Sequence, residues 1–206
     1  MSAAESKIRV AGKPLVIASH NKGKIQEIGA MLEPLGIVVR SATDANVDEP
    51  EETGTTFHEN AILKAEHAAD CSGLPALADD SGLAIDALDG APGVYSARWA
   101  GPGKDFSAAF GRIQQELSRI QSNNRAHFMC VMALCIPDQG TFTFEGRIDG
   151  MLIFPPRGEK GFGYDPIFIP DGYAITFAEM DPAEKNRISH RARAFAKFID
   201  FLGGAV

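Results

Sequence analysis

Between positions 14 and 40 the apolar residues change their spacing twice, and that switch limits the folds open to the chain. Pro-Leu-Val-Ile-Ala-Ser at 14–19 is one short apolar run, as in a buried strand. After the polar stretch Asn21, Lys22, Gly23 and Lys24, the residues Ile25, Ile28, Leu32 and Leu35 recur at spacings of three, four and three. That is the stripe of an amphipathic helix. Gly36 is placed to stop it, and Ile-Val-Val-Arg at 37–40 reads as a second strand. Strand, polar turn, helix and strand in that order are the grammar of an α/β sheet.

The rest of the chain continues the pattern. Thr56 and Glu59 have capping-box spacing and predict a helix over 57–69. Residues 74–78 read as a strand that ends at Asp79 and Asp80, with 83–88 resuming it after a bend at Gly82. The glycine- and proline-rich stretch 90–104 predicts loop. Phe106, Phe110, Ile113, Leu117 and Ile120 mark another helix by their spacings of four, three, four and three. A long buried strand over 127–136 pairs with the alternating stretch 141–150 through a turn at 137–140. Residues 164–170 suggest a short strand. Asp181, Pro182 and Glu184 read as a cap, a first-turn proline and an N3 partner. The last helix shows Ile188, Ala192, Phe195, Ile199 and Leu202 on one face. We expect a single domain over 1–206 with two lobes, residues 1–12 forming a loose start.

Composition narrows the function. The 206 residues carry a formal net charge of −7, a poor match for non-specific binding to nucleic acid, which needs a basic surface. An anionic ligand would have to meet a local basic pocket or a metal. Cys71, Cys130 and Cys135 show no structural-zinc spacing and read as buried free thiols of a reducing compartment. No apolar run approaches a membrane span, and the first residues lack the apolar core of a signal peptide. The expectation is a cytoplasmic protein with no membrane partner.

Four polar clusters could carry chemistry. Ser19, His20, Asn21, Lys22, Gly23 and Lys24 lie between a strand and a helix. They fit an anion held at a helix start or an ordinary capped turn. Asp79 and Asp80, with Glu51 and Glu52, fit a hard divalent cation or a turn in which Asp and Ser bond their own backbone. Because strand side chains alternate, one of the two aspartates would enter the site and the other support it. Gly-Phe-Gly-Tyr-Asp-Pro at 161–166 lacks the third glycine of a dinucleotide fingerprint. It fits a flat ligand lying against Phe162 or Tyr164, or a tight turn with core aromatics. The stretch 184–193 carries Lys185, Arg187, His190, Arg191 and Arg193, either a solvated face or a ligand-binding group. On one continuous helix Lys185 and His190 stand roughly 140° apart. Both reach one ligand only if the helix breaks near Ile188, with Ser189 capping a second helix.

Together these blocks carry a resemblance. S-x-N-x-x-K, E-E-T-G-x-T-F-x-E-N-A-x-x-K-A, A-D-D-S-G-L-x-x-D-x-L-x-G-x-P-G-V-Y-S-A-R, G-F-G-Y-D-P-I-F and E-K-x-x-I-S-H-R-x-x-A occur in one order over 15–202. In this the chain resembles the inosine triphosphate pyrophosphatase family. The resemblance implies a long twisted mixed β-sheet with flanking helices, two lobes around a central cleft, and a homodimer. It implies Mg²⁺-dependent hydrolysis of ITP, dITP or XTP to the monophosphate and pyrophosphate, which clears the nucleotide pool. By motif, Ser19, His20, Asn21, Lys22, Gly23 and Lys24 fall in the phosphate segment, His20 occupying a variable slot. Asp80 matches the general base and metal-linked carboxylate, and Glu51 or Glu52 the metal-side glutamate. Ser81, Phe162, Gly163, Tyr164, Asp165, Lys185, His190 and Arg191 match substrate contacts. A Maf-like pyrophosphatase for other nucleotides and a non-catalytic nucleotide sensor are the alternatives. The G-F-G-Y-D-P and I-S-H-R blocks weigh against the first, and the retained acids Asp79, Asp80 and Glu52 against the second.

Overall fold

The computed structural model describes residues 13–120 and 124–203; the loose start expected over 1–12 lies outside them. The strands are β1 (Leu15–Ile17), β2 (Val39–Ser41), β3 (Ala76–Ile85), β4 (Arg125–Ile136), β5 (Gly140–Leu152) and β6 (Phe168–Pro170). The helices are α1 (Lys22–Leu32), α2 (Phe57–Ser72), α3 (Ser96–Trp99), α4 (Phe106–Ser118), α5 (Pro182–Ile188) and α6 (His190–Leu202). The strands form one mixed sheet in the order β2-β1-β3-β4-β5-β6. β1 runs parallel to β2 and β3, while β5 and β6 are antiparallel. The fold is α/β, with helices flanking the sheet. No helix among the described residues is long and apolar enough to cross a membrane.

The chain divides into two compact units. The first comprises Met1–Asp80, Val131–Glu145 and Ala194–Val206, and the second Ser81–Cys130 and Gly146–Arg193. In the first unit, Val16, Ala18, Ala76 and Ala78 share a core with Ala61, Ala65, Ala68 and Ala69 of α2. Small side chains on both sides let the helix lie close to the sheet. The second unit is built on larger groups, with Phe128, Phe168, Phe177, Tyr164, Leu83 and Ile113 in one core.

Local signals place most boundaries. Thr56 and Glu59 form a full capping box at the start of α2, and Gly73 ends it in the left-handed conformation at φ +67°. Thr56→Ala is therefore expected to lower stability by about 0.5–2 kcal/mol, read from the urea unfolding midpoint. Asp181 caps α5 by accepting from the Ala183 amide.

Elsewhere the structure departs from the sequence reading. β3 runs unbroken from Ala76 to Ile85, so the strand does not end at Asp79–Asp80. Pairing within the sheet overrides the turn preference of Asp, Ser and Gly. Helix α4 stops at Ser118, where the Arg119 amide bonds back to Glu116 and that of Ile120 to Leu117. Ile120 is exposed as a result. The stretch 164–170 begins as a 3₁₀ turn at Asp165–Ile167 before becoming β6. In α6 the buried positions are His190, Arg191, Ala194, Phe195 and Phe198; of the expected stripe Phe195 is buried, while Ile188, Ala192, Ile199 and Leu202 are half-buried. The helix restarts after Ser189 and so presents a rotated face. Cys130 and Cys135 are buried, but Cys71 is exposed.

Candidate functional site

Adjacent strand residues project to opposite faces of a sheet, and β3 uses this to separate its two aspartates. Even-numbered β3 residues Ala76 and Ala78 pack on α2, and Asp80 follows them on that face. Asp79 faces the other way, where its Oδ2 lies 3.2 Å from Lys24 Nζ of α1 and its side chain is fully buried. The Asp79–Lys24 pair is thus a buried strut between strand and helix.

Asp80 meets the N-terminal end of the buried face of α2. That face reads Asn60, Ala61, Lys64, Ala65, Ala68 and Ala69, a helical stripe of alanines with two polar residues at one end. Lys64 Nζ donates to Asp80 Oδ1 at 3.0 Å and to Glu52 Oε1 at 2.6 Å. Asn60 Nδ2 donates to Asp80 Oδ2 at 3.4 Å, and its Oδ1 accepts from the Gly54 amide at 2.8 Å. Burial pushes the Asp80 carboxyl above the usual carboxylate range; Lys64 and Lys24 pull it back and Glu52 adds to the rise. Burial also disfavours the Lys64 ammonium, but Asp80, Asp79 and Glu52 outweigh it and hold the group above the ordinary lysine value. Lys64 therefore stays charged. Glu52, rather than the exposed Glu51, belongs to this group.

Gly54 is required here by space. A Cβ at that position would stand 2.5 Å from Asn60 Oδ1 and 2.7 Å from Glu59 Cβ. Gly54→Ala is expected to cost about 1–3 kcal/mol by overpacking, measured by urea denaturation.

At the start of α1, Asn21 Oδ1 accepts from the amides of Gly23 and Lys24 at 2.9 and 3.3 Å. Ser19 Oγ accepts from the Asn21 amide. Two of the amides expected to hold an anion are thus occupied by the Asn21 cap, and the Lys24 ammonium is turned to Asp79. Lys22 is exposed. His20 is partly buried.

The second unit gathers the remaining predicted residues. Gly161 and Gly163 both have positive φ, +72° and +66°, a turn that glycine adopts without strain. Phe162 stands between them. Asp165, buried below, accepts from the Phe162 amide at 2.8 Å and from Lys185 Nζ at 2.5 Å. The Lys185 ammonium and the Arg191 guanidinium carbon lie 5.0 and 5.8 Å from the Phe162 ring centre. Arg191 is 1% exposed, and its Nη2 donates to Ser81 Oγ at 2.9 Å. His190 stacks on Phe128 with ring centres 4.8 Å apart and planes at 11°. The helix break expected near Ile188 is present, with Ser189 Oγ accepting from the Ala192 amide. It brings Lys185, His190 and Arg191 inward together, while Arg187 and Arg193 remain exposed. Tyr164 does not offer a face to a ligand. It is 3% exposed, meets Phe106 edge-on at 5.1 Å and donates its hydroxyl to the Ser96 carbonyl.

The Ham1 family profile matches residues 15–201. The chain belongs to the Ham1 family. It is 58% identical over 193 residues to the dITP/XTP pyrophosphatase of Rhodospirillum centenum, covering 93% of this chain and 95% of that protein. The dITP/XTP pyrophosphatase of Caulobacter vibrioides is 56% identical over 187 residues, covering 90% and 96%. Among solved structures, the HAM1 protein from Coxiella burnetii superposes with a TM-score of 0.85 at 43% identity, covering 94% of this chain and all of that one.

In this Ham1 chain the sequence reading gave no role to Asn60 or Lys64, although both lie in the quoted block E-N-A-x-x-K-A. A signal was present. After the Thr56 capping box, Asn60 and Lys64 are four apart and fall on the alanine stripe. A lysine on the apolar face of a helix is rarely buried without a carboxylate partner.

Proposed function

We propose that this chain hydrolyses aberrant purine nucleoside triphosphates, namely ITP, dITP and XTP, to the monophosphate and pyrophosphate. The observation that carries the reading is the buried carboxylate Asp80, held by Lys64 and Asn60 and raised above its ordinary range. A carboxylate of raised pKa is a better proton acceptor near neutral pH. The names of the Rhodospirillum and Caulobacter relatives support the same chemistry.

The oxygen donors of Asp80 and Glu52 converge on one ammonium. Two carboxylates already gathered around a cation are a donor set that fits Mg²⁺. When bound, Mg²⁺ would supply charge neutralisation for the triphosphate. The remaining work falls to the chain. Asp80 orients a water and takes its proton as oxygen attacks the α-phosphorus, and pyrophosphate leaves. Lys64, charged throughout, offsets negative charge as it builds. Asp79 and Lys24 hold strand and helix in place rather than touching phosphate.

At the base end, Phe162 supplies an aromatic surface. Donors from His190, Arg191 or nearby backbone meet the purine 6-position. Inosine and xanthosine present a carbonyl there and adenine an amino group, so ATP would set donor against donor. Such a mismatch discriminates by about 10⁴–10⁵-fold. The cytoplasm, where the triphosphate pool is used, and a homodimer complete the proposal; light scattering after gel filtration tests the latter.

Pyrophosphate release from ITP, XTP, ATP, GTP and dUTP with Mg²⁺ tests the function. The expected result is turnover of ITP and XTP with ATP and dUTP far slower. Binding of ITP without any release of pyrophosphate would leave a sensor, and preference for dUTP would point to the Maf-like reading.

A further inference from the structure

We propose that Asp48, His67 and Cys71 form a site for a borderline transition-metal cation of the Zn²⁺ class, using none of the residues assigned to the nucleotide. His67 and Cys71 are four apart on α2, so they lie on one strip of the helix. The segment between β2 and α2 brings Asp48 to them. His67 Nε2 lies 2.8 Å from Asp48 Oδ1 and 3.8 Å from Cys71 Sγ. All three donor atoms fall within 4.8 Å of one another.

One imidazole nitrogen, one thiol sulfur and one carboxylate oxygen are all ligands that Zn²⁺ accepts. Tetrahedral bonds of about 2.0–2.3 Å would set such donors about 3.3–3.6 Å apart. The observed nitrogen–oxygen and nitrogen–sulfur distances fall on either side of that spacing and the sulfur–oxygen distance is within 4.8 Å, so closing the site requires side-chain rotation. Asp48 and Cys71 are exposed and His67 partly so, which leaves room for a water as fourth ligand. On metal binding, the Cys71 thiol releases its proton to solvent, and the Nε2 hydrogen that His67 donates to Asp48 leaves to solvent or is replaced by one on Nδ1, so that Nε2 is free to bind. The sulfur sets this site apart from one for Mg²⁺, which takes oxygen ligands.

Titration of the full, chelator-treated chain with Co²⁺ in reducing buffer reads the site through the thiolate-to-cobalt charge-transfer absorption. The expected result is a saturable band that Zn²⁺ displaces and excess Mg²⁺ does not. Cys71→Ser should abolish the band without changing pyrophosphate release. Loss of an outer-shell partner alone weakens metal binding about 10–100-fold, so loss of a ligand in His67→Ala should weaken Co²⁺ binding by about 100-fold or more. No band in the parent chain, or an unchanged band in Cys71→Ser, would overturn the proposal.

Discussion

Replacing Lys64 with methionine is expected to destabilise the protein by about 3–5 kcal/mol, the usual cost of removing one partner from a buried ion pair. The reason lies in what the variant leaves behind. Lys64 is 9% exposed at its side chain and answers the charges of Asp80, Asp79 and Glu52. Methionine keeps the volume but leaves acids uncompensated in a site that already penalises charge. Adding Asp80→Asn to Lys64→Met should recover a large part of the loss, because the second change removes a carboxylate stranded by the first. Urea denaturation of both variants checks this. A Lys64→Met cost below about 1 kcal/mol would mean that the ammonium is not holding the cluster.

Asp80→Asn alone is expected to slow pyrophosphate release from ITP by about 10²–10⁴-fold, the range for loss of a general base. The amide keeps the shape and can still accept from Lys64, so the fold should persist. The effect should therefore appear in kcat rather than KM. Turnover of ITP at the parent rate in Asp80→Asn would remove Asp80 from the chemistry and leave it as a structural acid beside Lys64. The two variants separate the roles. One tests what holds the cluster together, and the other what the cluster does.

How legible the fold and site are depends on the range of the interactions involved. The α2 capping box needs only Thr56 and Glu59, three residues apart. The break before His190 follows from the angle between Lys185 and His190, and Ser189 supplies the cap nearby. Asp-Asp-Ser-Gly failed as a guide because each residue favours turns in isolation, whereas here β3 continues past the end of β1 as a strand beside β4 in the sheet. Tyr164 failed for a similar reason. Its neighbours in sequence form a ligand-like turn, but its own ring is claimed by Phe106 and Ser96.

The sequence by itself determined the α/β class, the capped helices and the blocks that mark the family, since periodicity, caps and glycine turns are set by residues a few positions apart. Only the tertiary structure decided which aspartate faces which helix, that Glu52 rather than Glu51 joins the cluster, and that Lys64 is its centre. A buried charge takes its state from whatever the fold places beside it. For Asp80 that partner comes from sixteen residues away, and for Asp79 from fifty-five.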